Sequence, residues 1–528
     1  MMIRPQLPSL GDITKALLDH AGVLPQKNDS TGVIEDEKTK KKIQTQLRRL
    51  AKEESELENN LIDLLNLLAA FIQKATADSR VTNVCMDSIE DVLNQYKDLV
   101  RGDGTFLSKP EAVKWLIRTK LVDRTILSYQ KNALKFNLSA SNLISPSDTY
   151  WWLPDFTNQS TQWPLAKAMK WMYTVCETNQ THFHFPDFGS IDNYRLSQNL
   201  ENASRWANGK NTPSWPNLLQ NINDSIVAME QTKSTMYKVV VDAKTQQNFK
   251  TILFIARFST SIFIELERQF GRDFIVDITM QLRRQDRRLS KVHQSFKASL
   301  SKAIAVNNIP KTAIIDRIWY ENTQEFWQLQ SEHMIQGSRA IDAKFRERYN
   351  SGFNRKDLRF FLQRMNPFAL SPLLEQAKDN TIAMAPKLFL ELLLEGLALR
   401  KNGNTLPRDI KQYIKQVNEA NLECYLDWVT NWIWATYHYR REEDDLAFPF
   451  YLKAFESGKY SAGNSQYKLV NQYVESCAKN NKWKDFKRGI AWANYLGIEV
   501  RWYRGVDESD EPLKTAYMFL KHARYAQL

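Results

Sequence analysis

Apolar side chains at Ile43, Leu47, Leu50, Leu57, Leu61, Leu64, Leu68 and Phe71 recur at alternating spacings of four and three, with Glu54 as the polar member of the series. That period predicts a long amphipathic helix. Two uses of its stripe stay open: packing on the chain's own core, or a coiled-coil seam through which residues 43–71 self-associate. Ahead of it, residues 1–35 are polar and rich in Pro and Gly, and read as a loosely ordered leader with one short helix at DITKALLDH. After it, Gly102-Asp103-Gly104 closes the region, and Ser108-Lys109-Pro110-Glu111 offers a cap, a Pro at an early helical position and an acidic first turn. Val113, Leu116, Ile117, Leu121, Ile126, Leu127 and Leu134 then predict two short helices around a tight corner, either a plain helical hairpin or a helix-turn-helix.

Further along, the same periodicity predicts a helical domain over 105–235, a helical and basic region over 236–366, and a helical-hairpin domain over 367–528. The last has Ala454, Ala478, Ala491 and Ala493 among aromatics and loosely resembles tetratricopeptide-like repeats, without a fixed period. The expected fold class is therefore all-α and multi-domain. Composition supports it, since Gly and Pro number 17 each in 528 residues. Together they are about half the usual frequency, which disfavours turn-rich sandwiches and barrels. With 43% apolar and 25% charged residues, the chain has enough apolar material to fold. The four cysteines, Cys85, Cys176, Cys424 and Cys477, lie far apart, which argues against a disulfide framework or a Cys-rich zinc module. The N-terminus shows no secretory signal and no apolar run reaches membrane-spanning length, so cytoplasmic residence and no membrane partner are expected.

Charge changes the picture most. The chain carries 72 Lys and Arg against 60 Asp and Glu, a formal net charge of +12. The excess is concentrated. Gln281 to Lys302 holds Arg283, Arg284, Arg287, Arg288, Lys291, Lys297 and Lys302 against the single acid Asp286, and Arg339 to Arg364 includes Arg346, Arg348, Arg355 and Lys356. Arg283, Arg287 and Lys291 are spaced i, i+4, i+8, with Arg284 and Arg288 close by. Like charges so placed repel, and an opposite partner must compensate. That partner is either phosphate or an acidic stretch such as Glu442-Glu443-Asp444-Asp445.

Tyr150, Trp151, Trp152, Phe156 and Trp163 form an aromatic cluster that either stacks bases or plugs a seam between helical units. His182 and His184 alternate like strand residues, with no partner at metal-ligand spacing. No phosphate loop, dinucleotide turn, HExxH helix or GxSxG elbow occurs. Neither a cofactor nor a metal is expected.

Tyr194 to Leu219 reads YRLSQNLENASRWANGKNTPSWPNLL. Ser204, Arg205, Trp206, Asn208, Gly209, Lys210, Pro213, Ser214, Leu218 and Leu219 resemble the recognition helix and following helix of Cro/repressor-type helix-turn-helix domains. The resemblance implies that Asn199, Glu201, Asn202 and Arg205 face the major groove and that Lys210 meets phosphate. The residues agree locally: Asn208-Gly209 is a helix stop, and Thr212-Pro213 is a cap with Pro behind it. A second motif, Arg288-Leu-Ser-Lys-Val-His293, is similar to that of HEPN-type ribonucleases, implying His293 as general acid or base and Arg288 as the group that stabilises phosphorane charge. The expected function is non-catalytic nucleic-acid binding, DNA rather than RNA, with a protein partner at the C-terminal hairpins. The alternatives are a ribonuclease using Arg288 and His293, and a helical scaffold for acidic proteins.

Overall fold

Ser9 opens the first helix, α1 (Leu10–Ala21), through a reciprocal cap: its Oγ accepts from the Asp12 N–H at 3.1 Å, and Asp12 Oδ2 accepts from the Ser9 N–H at 2.9 Å. The computed structural model describes residues 8–22, 41, 45–50, 57–102, 113–114, 117–122, 125–126, 146–157, 160–186, 193–231, 241–306, 317, 386–501, 503 and 510–522. The fold is all-α: the described residues are 81% helical, and among them there is one two-stranded ribbon. Among the described residues, no helix is long and apolar enough to cross a membrane. α1 contains the short helix expected at DITKALLDH. Leu10 and Leu18 are fully buried, and the Leu10 N–H donates to the Tyr460 hydroxyl at 3.2 Å, so the helix is docked.

The heptad stripe turns inward as well. α2 (Leu57–Thr76) and α3 (Ser79–Gly102) form a hairpin across Ala77, and Leu57, Leu61, Leu64, Leu68 and Phe71 are buried along with Leu50. Phe71 meets the Phe254 ring at 6.0 Å between centroids. Of the two uses left open for the stripe, packing on the chain's own core is the one its described part takes. Ile43 and Glu54 lie outside the described residues.

The middle of the chain gives the ribbon β1 (Asp155–Phe156) and β2 (Thr161–Gln162), then α4 (Pro164–Val175), α5 (Gln180–His184), α6 (Asn193–Ala207) and α7 (Trp215–Gln231). α8 (Ala243–Phe270) starts at Asp242, whose Oδ1 accepts from the Thr245 N–H at 2.7 Å. It is the central strut, burying Phe249, Ile252, Leu253, Phe254, Ala256 and Phe263 against α1, α2, α4 and α7. At Gly271, φ +85, the chain turns into α9 (Arg272–Val306). Val122, Ile126, Leu153, Trp163, Phe263, Phe274, Ile275, Ile278 and Leu282 make a second, smaller core there. The corner expected near residue 120 is a π-helical turn over Ile117–Leu121, and its Arg118 pairs with Asp277 at 2.9 Å.

The C-terminal part is a run of helices: α10 (Pro386–Lys401), α11 (Pro407–Glu419), α12 (Glu423–Arg440), α13 (Asp444–Gly458), α14 (Gln466–Lys479), α15 (Trp483–Leu496) and α16 (Asp510–His522). Three of the turns repeat one geometry. Asn421, Glu442 and Asn481 take positive φ, and the next residue's N–H returns to the carbonyl five positions back, at 2.9 to 3.1 Å. Asn and Glu thus do what Gly commonly does, one reason the sequence needs few glycines. Glycines where helices touch have a different role: at Gly396, Gly458 and Gly489 an added Cβ would approach neighbouring side chains at 2.5, 2.9 and 2.7 Å. This run is joined to α3, because Gln466 donates to the Val100 carbonyl at 2.7 Å while accepting from Trp492 Nε1 at 2.9 Å.

Candidate nucleic-acid interface

α6 is two-sided. Leu196, Asn199, Ala203 and Trp206, spaced three, four and three, are buried, while Tyr194, Ser197, Gln198, Glu201 and Arg205 are exposed. The helix ends where expected. Gly209 takes φ +68, its N–H reaches the Trp206 carbonyl at 3.1 Å, and the Lys210 N–H reaches that of Arg205 at 3.0 Å. No other residue fits easily at 209, because a Cβ there would run into the indole of Trp163. Lys210 and Asn211 are exposed on the turn. α7 begins two residues later than Thr212 suggested: Ser214 supplies the capping carbonyl, 3.1 Å from the Leu218 N–H.

The residues implied to face the groove divide. Asn199 points inward and is corrected: it is buried, and its carbonyl accepts from Asn221 Nδ2 at 3.0 Å, because it falls in register with Leu196 and Ala203. Asn202 is half-buried. Glu201 and Arg205 are both exposed and pair with each other at 2.6 Å across one helical turn. Ser197, Gln198 and Asn211 share the outer surface and were not singled out from the sequence, although their positions opposite the apolar stripe mark them.

Ahead of α6 stands α5, attached by Gln180 Nε2 donating to Ser204 Oγ at 2.8 Å. It corrects the strand reading of His182 and His184. His184 is fully buried and hydrogen-bonded on both ring nitrogens: Tyr173 Oη lies 2.8 Å from Nε2 and Ser225 Oγ lies 2.9 Å from Nδ1. Since Ser225 donates onward to the Asn221 carbonyl at 2.8 Å, Nδ1–H must be the donor to Ser225, and the Tyr173 O–H the donor to Nε2. Burial pushes the imidazole pKa down to about 3, and the neutral ring serves as a strut between α4, α5 and α7.

Comparison with family models, curated proteins and solved structures gave no match.

The basic helix is α9, and its arginines do not form one outer stripe. Arg283 leans onto the 150s loop, pairing with Asp155 and lying 5.2 Å over the Tyr150 ring. Asp155 also pairs with Lys167, which reaches Asp148 at 3.1 Å. Asp286 is buried and accepts from the Tyr150 hydroxyl at 2.8 Å; burial first, and that bond second, push the phenol pKa up to about 12. The acids that compensate this end of α9 are therefore Asp148 and Asp155. In the 442–445 stretch suggested by sequence, Glu443 accepts from His438 at 2.7 Å and from Arg441 at 3.2 Å. Arg284 and Arg287 remain on the exposed face.

The backbones of Arg288, Lys291 and His293 lie on α9, and their side chains fall outside what is described. Arg346, Arg348, Arg355 and Lys356 lie outside the described residues altogether. The aromatic cluster acts as a plug in this structure, with Trp151 and Trp163 buried and Trp152 partly so.

Proposed function

We propose that the protein binds nucleic acid without transforming it, and that its ligand is duplex DNA. The observation that carries this reading is the α6 unit: an exposed polar face with Gln198 and Arg205, followed by Lys210 on a turn whose shape is fixed from beneath by Trp163 and Trp206. A helix of this kind fits the major groove, where Gln and Arg side chains match adenine and guanine edges. Lys210 would sit at a phosphate. Arg284 and Arg287 of α9 would add sequence-independent attraction.

The Glu201–Arg205 pair does not stand in the way. An exposed i,i+4 pair is worth about 0.3–0.5 kcal/mol, whereas a bidentate Arg–guanine contact discriminates by about 1–3 kcal/mol, so exchanging Glu201 for a base is favourable.

Fluorescence anisotropy with labelled duplexes at low salt tests the assignment. Gln198→Ala combined with Arg205→Ala should weaken binding about tenfold or more relative to wild type. Equal affinity in the double variant would remove α6 from the interface. Labelled RNA incubated with wild type should remain intact; cleavage lost in His293→Ala would instead support the ribonuclease alternative.

A further inference from the structure

A cleft of about 470 Å³ opens where α10 and α12 end side by side, lined by Arg400, Gly403, Asn404, Tyr437, Arg440 and Arg441. Its volume lies within the range of about 300–1,000 Å³ that small-molecule sites occupy. No carboxylate is among the lining residues. Leu399, Leu406 and Ile433 supply an apolar wall beside the cationic one.

The chemistry of Arg440 decides what such a cleft would hold. Its Nη1 and Nη2 donate to the Asn402 and Lys401 carbonyls at 2.6 and 2.9 Å, which fixes the guanidinium in place. Carbonyls accept hydrogen bonds without cancelling the charge, and three of its five N–H donors stay open. Among the described residues no carboxylate pairs with it, and burial pushes its pKa down from the ordinary arginine value. Arg441 is next to it at the rim, where its Nε donates to Glu443 at 3.2 Å and its guanidinium lies 5.5 Å over the Tyr437 ring. A planar guanidinium held rigid beside a cavity suits an oxyanion, which would take two parallel N–H bonds.

We propose that this cleft binds a small organic anion, its carboxylate or phosphate head held by Arg440 and Arg441 and its apolar body laid against Leu399, Leu406 and Ile433. The site lies in the C-terminal helices and does not depend on the reading of α6 as a DNA-binding element.

Gly403 provides the means to close the cleft. Gly403 is one of the lining residues and a Cβ built there meets nothing within 4 Å, so a large side chain is tolerated at the edge of the cleft without displacing the core. Isothermal titration calorimetry of the full chain would use three probes with one ring: phenyl phosphate, benzoate and uncharged benzyl alcohol. At least one of the two anions should bind about tenfold or more tightly than the alcohol, and whichever anion binds better identifies the head group. Gly403→Trp and Arg441→Ala should each weaken that anion about tenfold, with unchanged melting temperature of the free protein and unchanged DNA affinity in Gly403→Trp. Equal binding of all three probes, absence of binding, or anion affinity retained in both variants would overturn the proposal.

Discussion

Arg257, buried in the middle of α8, donates through Nε to the carbonyl of Pro213 at 2.7 Å. Its Nη1 donates to the His20 carbonyl at 2.8 Å, so one side chain fixes both the turn after α6 and the end of α1. Gly22 follows at φ +78, and a Cβ there would come within 2.7 Å of the same guanidinium. Hydrogen bonds to a charged group contribute about 1.5–3 kcal/mol each, and one buried and one partly buried carbonyl would lose their donor. Arg257→Met should therefore lower stability by about 3 kcal/mol, read as a lower urea midpoint at unchanged slope. An unchanged midpoint would show that the turn is held by other contacts.

His184 makes stability depend on pH. Its pKa is depressed to about 3 in the folded protein, against an ordinary value near 6.5, so below pH 6.5 the unfolded chain binds a proton that the folded chain refuses. Its contribution is fully present above pH 6.5 and declines as pH falls toward 3, by about 1.4 kcal/mol per pH unit. Urea midpoints measured from pH 7 to pH 5 should fall more steeply for wild type than for His184→Gln. Parallel curves would mean that the imidazole is not the titrating group.

Gly396 sets how closely α10 approaches its neighbours. In most helix interiors Gly→Ala is stabilising by about 1 kcal/mol. Here the new methyl would lie 2.5 Å from both Tyr413 Oη and Val429 Cγ1. Overpacking of a filled core costs about 1–3 kcal/mol, so Gly396→Ala should lower the melting temperature, whereas a rise would mean that the crossing has room.

The thiols should be inert while the fold is intact. Burial pushes Cys85 up to about 11 and Cys176 up to about 12, and raises Cys477 well above the ordinary thiol value. At pH 8 a disulfide-exchange reagent should titrate no more than one thiol per native chain, and all four in denaturant. Prompt reaction of three or four would contradict the buried placement.

Helix positions were the legible part of this sequence, because an apolar period of three and four survives in any helix that buries one face. The stop at Gly209 was legible for a local reason, since Asn-Gly followed by Thr-Pro leaves the backbone few alternatives. What covers each stripe was not. The period from Leu57 to Phe71 is the same whether the covering surface is a second chain or α8, and only the contact of Phe71 with Phe254 distinguishes them. Asn199 shows the complementary limit: the helix-turn-helix resemblance implies an outward position, while its register with Leu196 and Ala203 places it inside. The partners of Arg283 lie about 130 positions away on the 150s loop, a pairing that no local pattern reports.

DNA binding measured as a function of salt addresses the central claim most directly. Lys210, Arg284 and Arg287 are the exposed cations assigned to phosphates, and about three displaced counterions give a slope of log K against log salt near −2.7. Lys210→Ala should bring that slope about one unit closer to zero and weaken binding to all duplexes alike. A slope of about −2.7 that responds to Lys210 in this way is the predicted result. Absence of binding at 50 mM salt, or an affinity indifferent to salt and to Lys210, would contradict it.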